Sequence, residues 1–167
     1  RTLRDRTEGA VCAGVVKADA YGLGVEPIGQ RLWWEGCRTF FVASLEEAIN
    51  LRGFLQDAEI VTLNGLMLGE EAHYREYGLL PTLNDIGQIQ TWSAYCGRTG
   101  SLQAAVHFDT GMSRLGLSAS ERRRLLDNPE IISGIECRYL LSHLACADLP
   151  GDPLNDKQRR DFAEAVS

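Results

Sequence analysis

Residues 11–24 read VCAGVVKADAYGLG, and this stretch indicates the fold of the chain. An apolar run of strand type ends at Lys17, and a turn with two glycines follows it. A strand followed by such a turn and then by a helical pattern is typical of a βα unit. Lysine is rarely buried, because its ammonium group is costly to remove from water. Alternation places Lys17 at the carboxyl end of the strand, on the face of Val11 and Val15, and β/α proteins place their chemistry at that end.

The same alternation of strand and helix continues along the chain and predicts βα units around a parallel sheet. The strands are predicted at 11–18, 39–44, 59–64, 79–83, 102–109 and 135–145. The helices are predicted at 25–36, 45–55, 69–77, 85–96, 119–127 and 156–166. Three helix starts have capping-box spacing, namely Ser44 with Glu47, Ser118 with Glu121, and Asn155 with Gln158. Periodicity alone allows either a doubly wound open sheet or an incomplete barrel, because a closed eight-unit barrel typically needs about 250 residues.

Composition excludes several classes of function. The chain has 167 residues, 44% of them apolar, so we expect one domain with a substantial core. Its net charge of −6 argues against a nucleic-acid-binding surface. The sequence contains neither a long apolar run nor a signal peptide, so we expect no membrane insertion and no secretion. The five cysteines are odd in number and lack zinc-site spacing, which predicts a reduced, cytoplasmic protein without a bound metal.

Three segments carry polar residues in an informative order. Residues 15–24 read VVKADAYGLG, residues 107–117 read HFDTGMSRLGL, and residues 142–148 read SHLACAD. Together they resemble, in order and approximate spacing, segments of the alanine racemase family. Members of that family bind pyridoxal 5′-phosphate (PLP) in an N-terminal (β/α)8 barrel, and a mostly β C-terminal domain follows. The resemblance implies that residues 1–167 are an α/β, PLP-binding TIM-type barrel domain, incomplete at about six βα units, without that C-terminal domain.

The resemblance implies roles for residues in the first half of the chain. Lys17 would hold the cofactor covalently and exchange the α-proton of the substrate, since a neutral amine attacks an aldehyde. Tyr21 would hydrogen-bond the cofactor phosphate. Leu63 would line the pocket, although a core leucine fits the sequence equally well. Asp19 is expected to brace the glycine-containing turn that follows Lys17.

The second half of the chain supplies the remaining implied site residues. Arg114 would lie near a cofactor oxygen and the substrate carboxylate, because a fixed guanidinium suits a planar anion. Met112 would also contact the substrate, and His143 would pack against the pyridine ring. His107 stands where one version of the motif has a carbamylated lysine. Because imidazole forms no stable carbamate, we expect Arg114 to have another partner, either Asp109 or a bound anion, and activity to be indifferent to bicarbonate.

The resemblance implies an isomerase that interconverts L-alanine and D-alanine and supplies D-alanine for cell-wall peptidoglycan. Family members use a second base, a tyrosine from the C-terminal domain of the partner subunit. A homodimer acting on a small amino acid is therefore implied, and residues 1–167 alone are expected to be inactive. The alternatives are another amino-acid racemase or a decarboxylase of the same barrel type, and a non-catalytic PLP-binding protein.

Overall fold

The computed structural model of the protein describes residue 7 and residues 9–166. The strands are β1 (Gly14–Val15), β2 (Thr39–Val42), β3 (Glu59–Thr62), β4 (Leu80–Leu83), β5 (Leu102–His107) and β6 (Ile135–Leu141). The helices are α1 (Lys17–Gly22), α2 (Val25–Trp34), α3 (Leu45–Phe54), α4 (Glu71–Glu76), α5 (Ile86–Thr99), α6 (Ala119–Asp127) and α7 (Pro153–Val166). A 3₁₀ turn occupies Pro129–Ile132. The predicted strands and helices are all present, and α1 and the 3₁₀ turn are additions to them.

Strand order decides between the two folds that periodicity left open. Every paired strand is parallel to its neighbour, and the order is β1-β2-β3-β4-β5-β6. A doubly wound sheet reverses its strand order at a switch point, whereas a β/α barrel adds each strand beside the previous one. The sequential order is therefore that of six βα units of a barrel.

The chain divides into two compact units. The described residues of Arg1–Asn64 and Gly69–Pro81 form unit 1, and those of Gly65–Leu68 and Thr82–Ser167 form unit 2. The boundary passes through β4, so unit 1 contains β1, β2, β3 and the first half of β4. Unit 2 contains the second half of β4 with β5 and β6. Each unit thus has its own set of parallel strands.

Each unit also has its own apolar core. In unit 1, Phe40 and Ile60 of neighbouring strands are fully buried, as is Leu51 of α3. In unit 2, Val106 of β5 and Trp92 of α5 are almost completely buried. Strands covered by helices read as continuous apolar runs, and this is why the sequence pattern located most of them correctly.

The first strand is much shorter than predicted. Only Gly14–Val15 is assigned as strand, although the N–H of Val16 still donates to the carbonyl of Phe41 at 2.9 Å. Val11 is 82% exposed and Val15 is 46% exposed, whereas Val16 is buried. The face that Val11 and Val15 share with Lys17 is therefore more exposed than the face of Val16.

The three predicted capping boxes have three different outcomes. At α6, Ser118 and Glu121 form the complete reciprocal box. At α3, Ser44 accepts from the N–H of Glu47, but the Glu47 carboxylate bonds elsewhere. The third prediction, Asn155 with Gln158, is wrong, because α7 begins at Pro153 and both residues therefore lie inside the helix.

In α7 the capping role belongs to Asp152, whose Oδ1 accepts from the N–H of Leu154 at 2.8 Å. Asn155 donates instead to the carbonyls of Cys146 and Leu149.

In the part of the chain that the structure describes, no helix is long and apolar enough to cross a membrane.

Candidate functional site

Lys17 lies directly after β1, at the carboxyl end of the strands of unit 1. Its side chain is half-buried. Among the described residues its ammonium group has neither a hydrogen-bond partner nor an ion-pair partner. An amine without a protein partner can react with a ligand without first breaking a protein contact. This placement points to a chemical role.

The residues after Lys17 have an unusual backbone. The run from Ala18 to Tyr21 contains four consecutive residues with φ between 52° and 57° and ψ between 36° and 51°. These are left-handed helical values, so α1 is a left-handed turn and not an ordinary helix. Each such L-residue costs about 1–2 kcal/mol, which amounts to about 4–8 kcal/mol for four of them. Strain of this size persists only where surrounding contacts hold it, and it clusters at functional sites.

Two carboxylates hold this turn. Oε1 of Glu47 accepts from the N–H of Ala18 at 2.8 Å, and Oε2 of Glu47 accepts from the N–H of Ala43 at 2.6 Å. At the other end, Oδ1 of Asp19 accepts from the N–H of Val25, the first residue of α2, at 2.7 Å. The predicted bracing role of Asp19 is therefore confirmed, whereas the contact of Glu47 with the turn was not predicted.

Tyr21 and Leu63 complete the predicted residues of unit 1. Tyr21 is 64% exposed, and its hydroxyl has no hydrogen-bond partner among the described residues. Leu63 follows β3 and is half-buried, so it is not a fully packed core residue. The N–H of Leu63 donates to the carbonyl of Val42, which fixes the end of β3 beside β2. Lys17 and Leu63 thus follow β1 and β3, with β2 between them.

In unit 2, the loop after β5 returns alongside that strand. The N–H of Leu117 donates to the carbonyl of His107 at 2.7 Å, and the N–H of Asp109 donates to the carbonyl of Leu117 at 3.0 Å. Gly116 has a φ of 104°, and a Cβ there would lie 2.7 Å from the backbone nitrogen of Asp109. Only glycine fits this position, because its backbone conformation and its space both exclude a side chain.

Arg114 lies in this loop, but it does not pair with Asp109, the protein partner that the sequence analysis expected. Oδ1 of Asp109 accepts from the N–H groups of Gly111 and Ser113, at 2.9 and 3.0 Å. Burial raises the pKa of Asp109, but backbone N–H groups of the loop outweigh this effect, so its pKa is lower than usual. Asp109 therefore stabilises the loop, and the exposed Arg114 guanidinium makes no hydrogen bond or ion pair with the described residues.

His107 is held by a partner that the sequence did not indicate. Its Nδ1 lies 2.8 Å from Oδ1 of Asn84, and Nδ2 of Asn84 donates to the carbonyl of Thr82. Because Oδ1 of Asn84 can only accept, Nδ1 of His107 carries the proton. Burial lowers the pKa of His107, and the proximity of His143 and Arg114 lowers it further, against an opposing effect of Asp109. The ring is therefore neutral at neutral pH, with Nε2 available as an acceptor.

These electrostatic effects show that the structure brings His107, Arg114 and His143 of unit 2 into one neighbourhood. His143 is exposed and follows β6, and Met112 is half-buried in the same loop as Arg114. Among the described residues, no group of three or more His, Cys, Asp or Glu side chains could hold a metal ion.

Gln158 of α7 ties the loops after β5 and β6 together. Its side chain is 1% exposed. Nε2 of Gln158 donates to Oγ1 of Thr110 at 3.2 Å and to the carbonyl of His143 at 2.9 Å. Its Oε1 accepts from the N–H of Ala145 at 2.8 Å. Thr110 in turn lies 2.7 Å from Oγ of Ser142. One buried amide therefore fixes both the loop that carries Arg114 and the loop that carries His143.

Sequence reasoning assigned Glu47 and Gln158 to helix caps and did not identify Asn84. A signal for Gln158 was present, because Leu154, Gln158 and Phe162 follow helical spacing. A polar residue inside an apolar stripe predicts a buried hydrogen-bond network. No comparable signal marks Glu47, since an acidic residue in the first turn of a helix is ordinary.

The sequential parallel strands define a β/α-barrel protein, and Lys17 and Arg114 lie after the ends of two of its strands. The family model described as "Alanine racemase, N-terminal domain" matches residues 1–167. The chain therefore belongs to the alanine racemase N-terminal domain family.

Individual relatives agree with this assignment. An alanine racemase of Methylobacterium sp. is 44% identical over 168 residues, which cover 100% of this chain and 46% of the relative. The alanine racemase of Brucella abortus is 49% identical over 148 residues, or 87% of this chain and 37% of the relative. The solved alanine racemase of Bartonella henselae, with covalently bound pyridoxal phosphate, has a TM-score of 0.95 and 39% identity. That match covers 99% of this chain and 49% of the solved one. The chain thus spans less than half the length of these relatives.

Proposed function

We propose that this chain is the cofactor-binding barrel domain, incomplete in residues 1–167, of a PLP-dependent alanine racemase. The observation that carries the proposal is Lys17, whose unpaired amine follows β1 and begins a strained turn. The named relatives support the choice of reaction, which is the interconversion of L-alanine and D-alanine.

The donor groups of the chain fit this cofactor and substrate. The amine of Lys17 suits an aldehyde, the hydroxyl of Tyr21 suits a phosphate, and the guanidinium of Arg114 suits a carboxylate or a phenolate oxygen. All three groups lack a hydrogen-bond partner among the described residues. Unpaired groups are available to a ligand without first breaking a protein contact.

When bound, PLP supplies an electron sink for the electron pair left on the substrate Cα after proton removal. In this proposal Nζ of Lys17 would hold the aldehyde carbon of the cofactor until the amino group of the substrate takes its place. The freed amine would serve as the base on one face of the substrate Cα, and the second base would deliver or remove the proton on the opposite face, so that the configuration inverts. Tyr21 binds the phosphate, and Leu63 lines the pocket.

In unit 2, Arg114 binds the substrate carboxylate and lies near a cofactor oxygen, while Met112 contacts the substrate and His143 packs on the ring. The loop geometry supports this role for Arg114, because Asp109 is occupied by backbone N–H groups and leaves the guanidinium available. The neutral ring of His107 adds no cation beside it. Arg114 is therefore the main positive charge that this loop offers to an anion.

The remaining expectations belong to the same proposal. The protein works as a homodimer in the cytoplasm, with a second base supplied from outside residues 1–167, and provides D-alanine for peptidoglycan. The inactivity of residues 1–167 by themselves stays a prediction.

The proposal is tested on the full-length protein incubated with PLP, reduced with borohydride and digested for peptide mass spectrometry. We expect one pyridoxyl group, attached to Lys17. With L-alanine in deuterated water, we expect D-alanine and deuterium at Cα. A Lys17→Ala variant provides the control and should show neither the adduct nor racemisation. An adduct on another lysine, or none, contradicts the proposal.

The same assay separates the alternatives. Carbon dioxide release from a basic amino acid would indicate a decarboxylase, and faster racemisation of another amino acid would indicate a different racemase. An adduct on Lys17 without turnover of any amino acid would indicate a PLP carrier.

A further inference from the structure

Glu47 connects the ends of two strands of unit 1. Its Oε1 accepts from Ala18, the residue after Lys17, and its Oε2 accepts from Ala43, the residue after β2. The two distances, 2.8 and 2.6 Å, are typical of charge-assisted hydrogen bonds. One carboxylate therefore sets where the chain leaves β1 relative to β2.

The position of Glu47 is itself fixed. Its N–H donates to Oγ of Ser44, and it lies in the first turn of α3, where the helix dipole favours a negative charge. Ala48, the next residue of α3, is fully buried, so the helix cannot shift without disturbing the core. The carboxylate is consequently a rigid support and not a mobile surface group.

The hydrogen bond from Ala18 to Glu47 lies where the backbone changes from negative to positive φ values. Val16 has a φ of −125°, and Ala18 has a φ of 52°, so the change occurs around Lys17 itself. A left-handed conformation is unfavourable for alanine, and without the carboxylate the N–H of Ala18 would lose its acceptor. The segment would then relax toward ordinary backbone angles, and the direction of the Lys17 side chain would change with it.

We propose that Glu47 is a positioning residue that holds the left-handed turn and thereby aims the Lys17 amine at its reaction partner. The part of this inference that concerns the reaction rests on the proposed function of Lys17. The part that concerns the turn does not depend on it.

The chain offers well-matched variants. Glu47→Gln keeps the size of the side chain but replaces one acceptor oxygen with an NH₂ group, which cannot accept a hydrogen bond. Glu47→Asp keeps the charge but is one methylene shorter, so it cannot span both N–H groups. Glu46→Gln is the control, because Glu46 is the exposed neighbour on the same helix and loses the same charge.

The reaction is measured in the full-length protein. For Glu47→Gln we expect the rate at which PLP attaches to Lys17, and kcat, to fall about 10- to 100-fold, with KM changed less than about threefold. Glu47→Asp should lie between this variant and the parent, and Glu46→Gln should remain within about twofold of the parent. Folded protein is confirmed by its unfolding midpoint before each comparison. A folded Glu47→Gln protein with both rates within about twofold of the parent overturns the inference.

The turn is measured without any cofactor, by hydrogen exchange of backbone amides in the unmodified protein. We expect the amide of Ala18 to be protected although its residue is exposed, and this protection to be lost selectively in Glu47→Gln. Unprotected exchange at Ala18 in the parent overturns the inference even if no variant folds. If the parent shows this protection but no PLP adduct on Lys17, the proposed function fails, and only the part of the inference that concerns the turn stands.

Discussion

The loop after β1 in unit 1 follows Lys17, and the loop after β5 in unit 2 carries Arg114. The first loop places four non-glycine residues in the left-handed region, and two carboxylates hold it. The second loop places Gly111 and Gly116 at positive φ, together with Ser113, and fastens itself by backbone pairing between His107 and Leu117. The first loop therefore has a strained backbone, and hydrogen bonds to Glu47 of α3 and to Asp19 offset the cost of that strain. The second loop largely avoids strain because glycines occupy most of its positive-φ positions.

This difference predicts where each loop is sensitive to substitution. The loop after β1 depends on two carboxylates, that of Asp19 within it and that of Glu47 outside it, so replacing Glu47 should matter more than replacing one alanine of the loop with glycine. The loop after β5 depends on the absence of side chains within it. The experiments below test this contrast, beginning with the largest expected effect.

Gly116→Ala should destabilise the full-length protein by about 2–4 kcal/mol. The new Cβ would lie 2.7 Å from a backbone nitrogen, which cannot move without breaking the pairing of the loop. Urea unfolding measures the change. Gly53→Ala in α3 is the control, because nothing lies within 4 Å of its Cβ position, and it should be neutral or stabilising. Equal effects of the two substitutions would show that the second loop does not depend on Gly116.

Gln158→Leu should cost about 2–3 kcal/mol of unfolding free energy. It removes the acceptor of the part-buried N–H of Ala145 and one donor to the carbonyl of His143. Gln90→Leu on the exposed side of α5 is the control and should change stability by less than about 0.5 kcal/mol. The substrate KM of the Gln158 variant should also rise, because the loop of Arg114 loses its anchor. A Gln158→Leu variant with unchanged stability and unchanged KM would show that Gln158 does not position the loop of Arg114.

Ala18→Gly should have a smaller effect of opposite sign. Glycine removes about 1–2 kcal/mol of left-handed strain, and its greater freedom in the unfolded chain offsets part of this gain. We expect a change between neutral and about 1 kcal/mol more stable in urea unfolding. Ala119→Gly, at an exposed right-handed position in α6, should instead destabilise. If both variants lose the same stability, the contrast between the two loops is not real.

The smallest expected effect is a pH dependence from His107. Its pKa in the folded protein is lower than 6.5, chiefly because of burial, so the unfolded chain binds more protons between the two values. The stability that this ring contributes is thus present above pH 6.5 and is lost as the pH falls through its folded pKa. NMR titration of the ring should give a midpoint below 6.5 with the proton of the neutral ring on Nδ1. His107→Gln should remove this component, and His73→Gln should retain it.

Much of the fold followed from the sequence because apolar periodicity is a local property. The strands β2 to β5 have buried apolar residues, and all of β2 to β6 were placed to within a few residues. The first strand was predicted too long, because Val11 and Val15 have the pattern of a covered strand but lie exposed. Coverage depends on what packs against a strand, and no local pattern contains that information.

The features of the candidate site can also be divided into those that local sequence predicts and those that it does not. Gly22 and Gly24 predicted a turn after Lys17, and both have positive φ. The four left-handed residues were not predicted, because Ala-Asp-Ala-Tyr has no local preference for that conformation. The partners Glu47 and Ala18 are 29 residues apart in the chain, and they meet only because β1 and β2 are neighbours.

By itself the sequence determined the alternation of strands and helices, the family to which the chain belongs, and which residues are placed at strand ends. These depend on side-chain type and spacing, which the sequence contains directly. The tertiary structure alone decided the hand of the turn after Lys17 and the partners of Glu47, His107 and Gln158. Such contacts join residues far apart in the chain, and a strained backbone exists only when distant groups supply the hydrogen bonds that offset its cost.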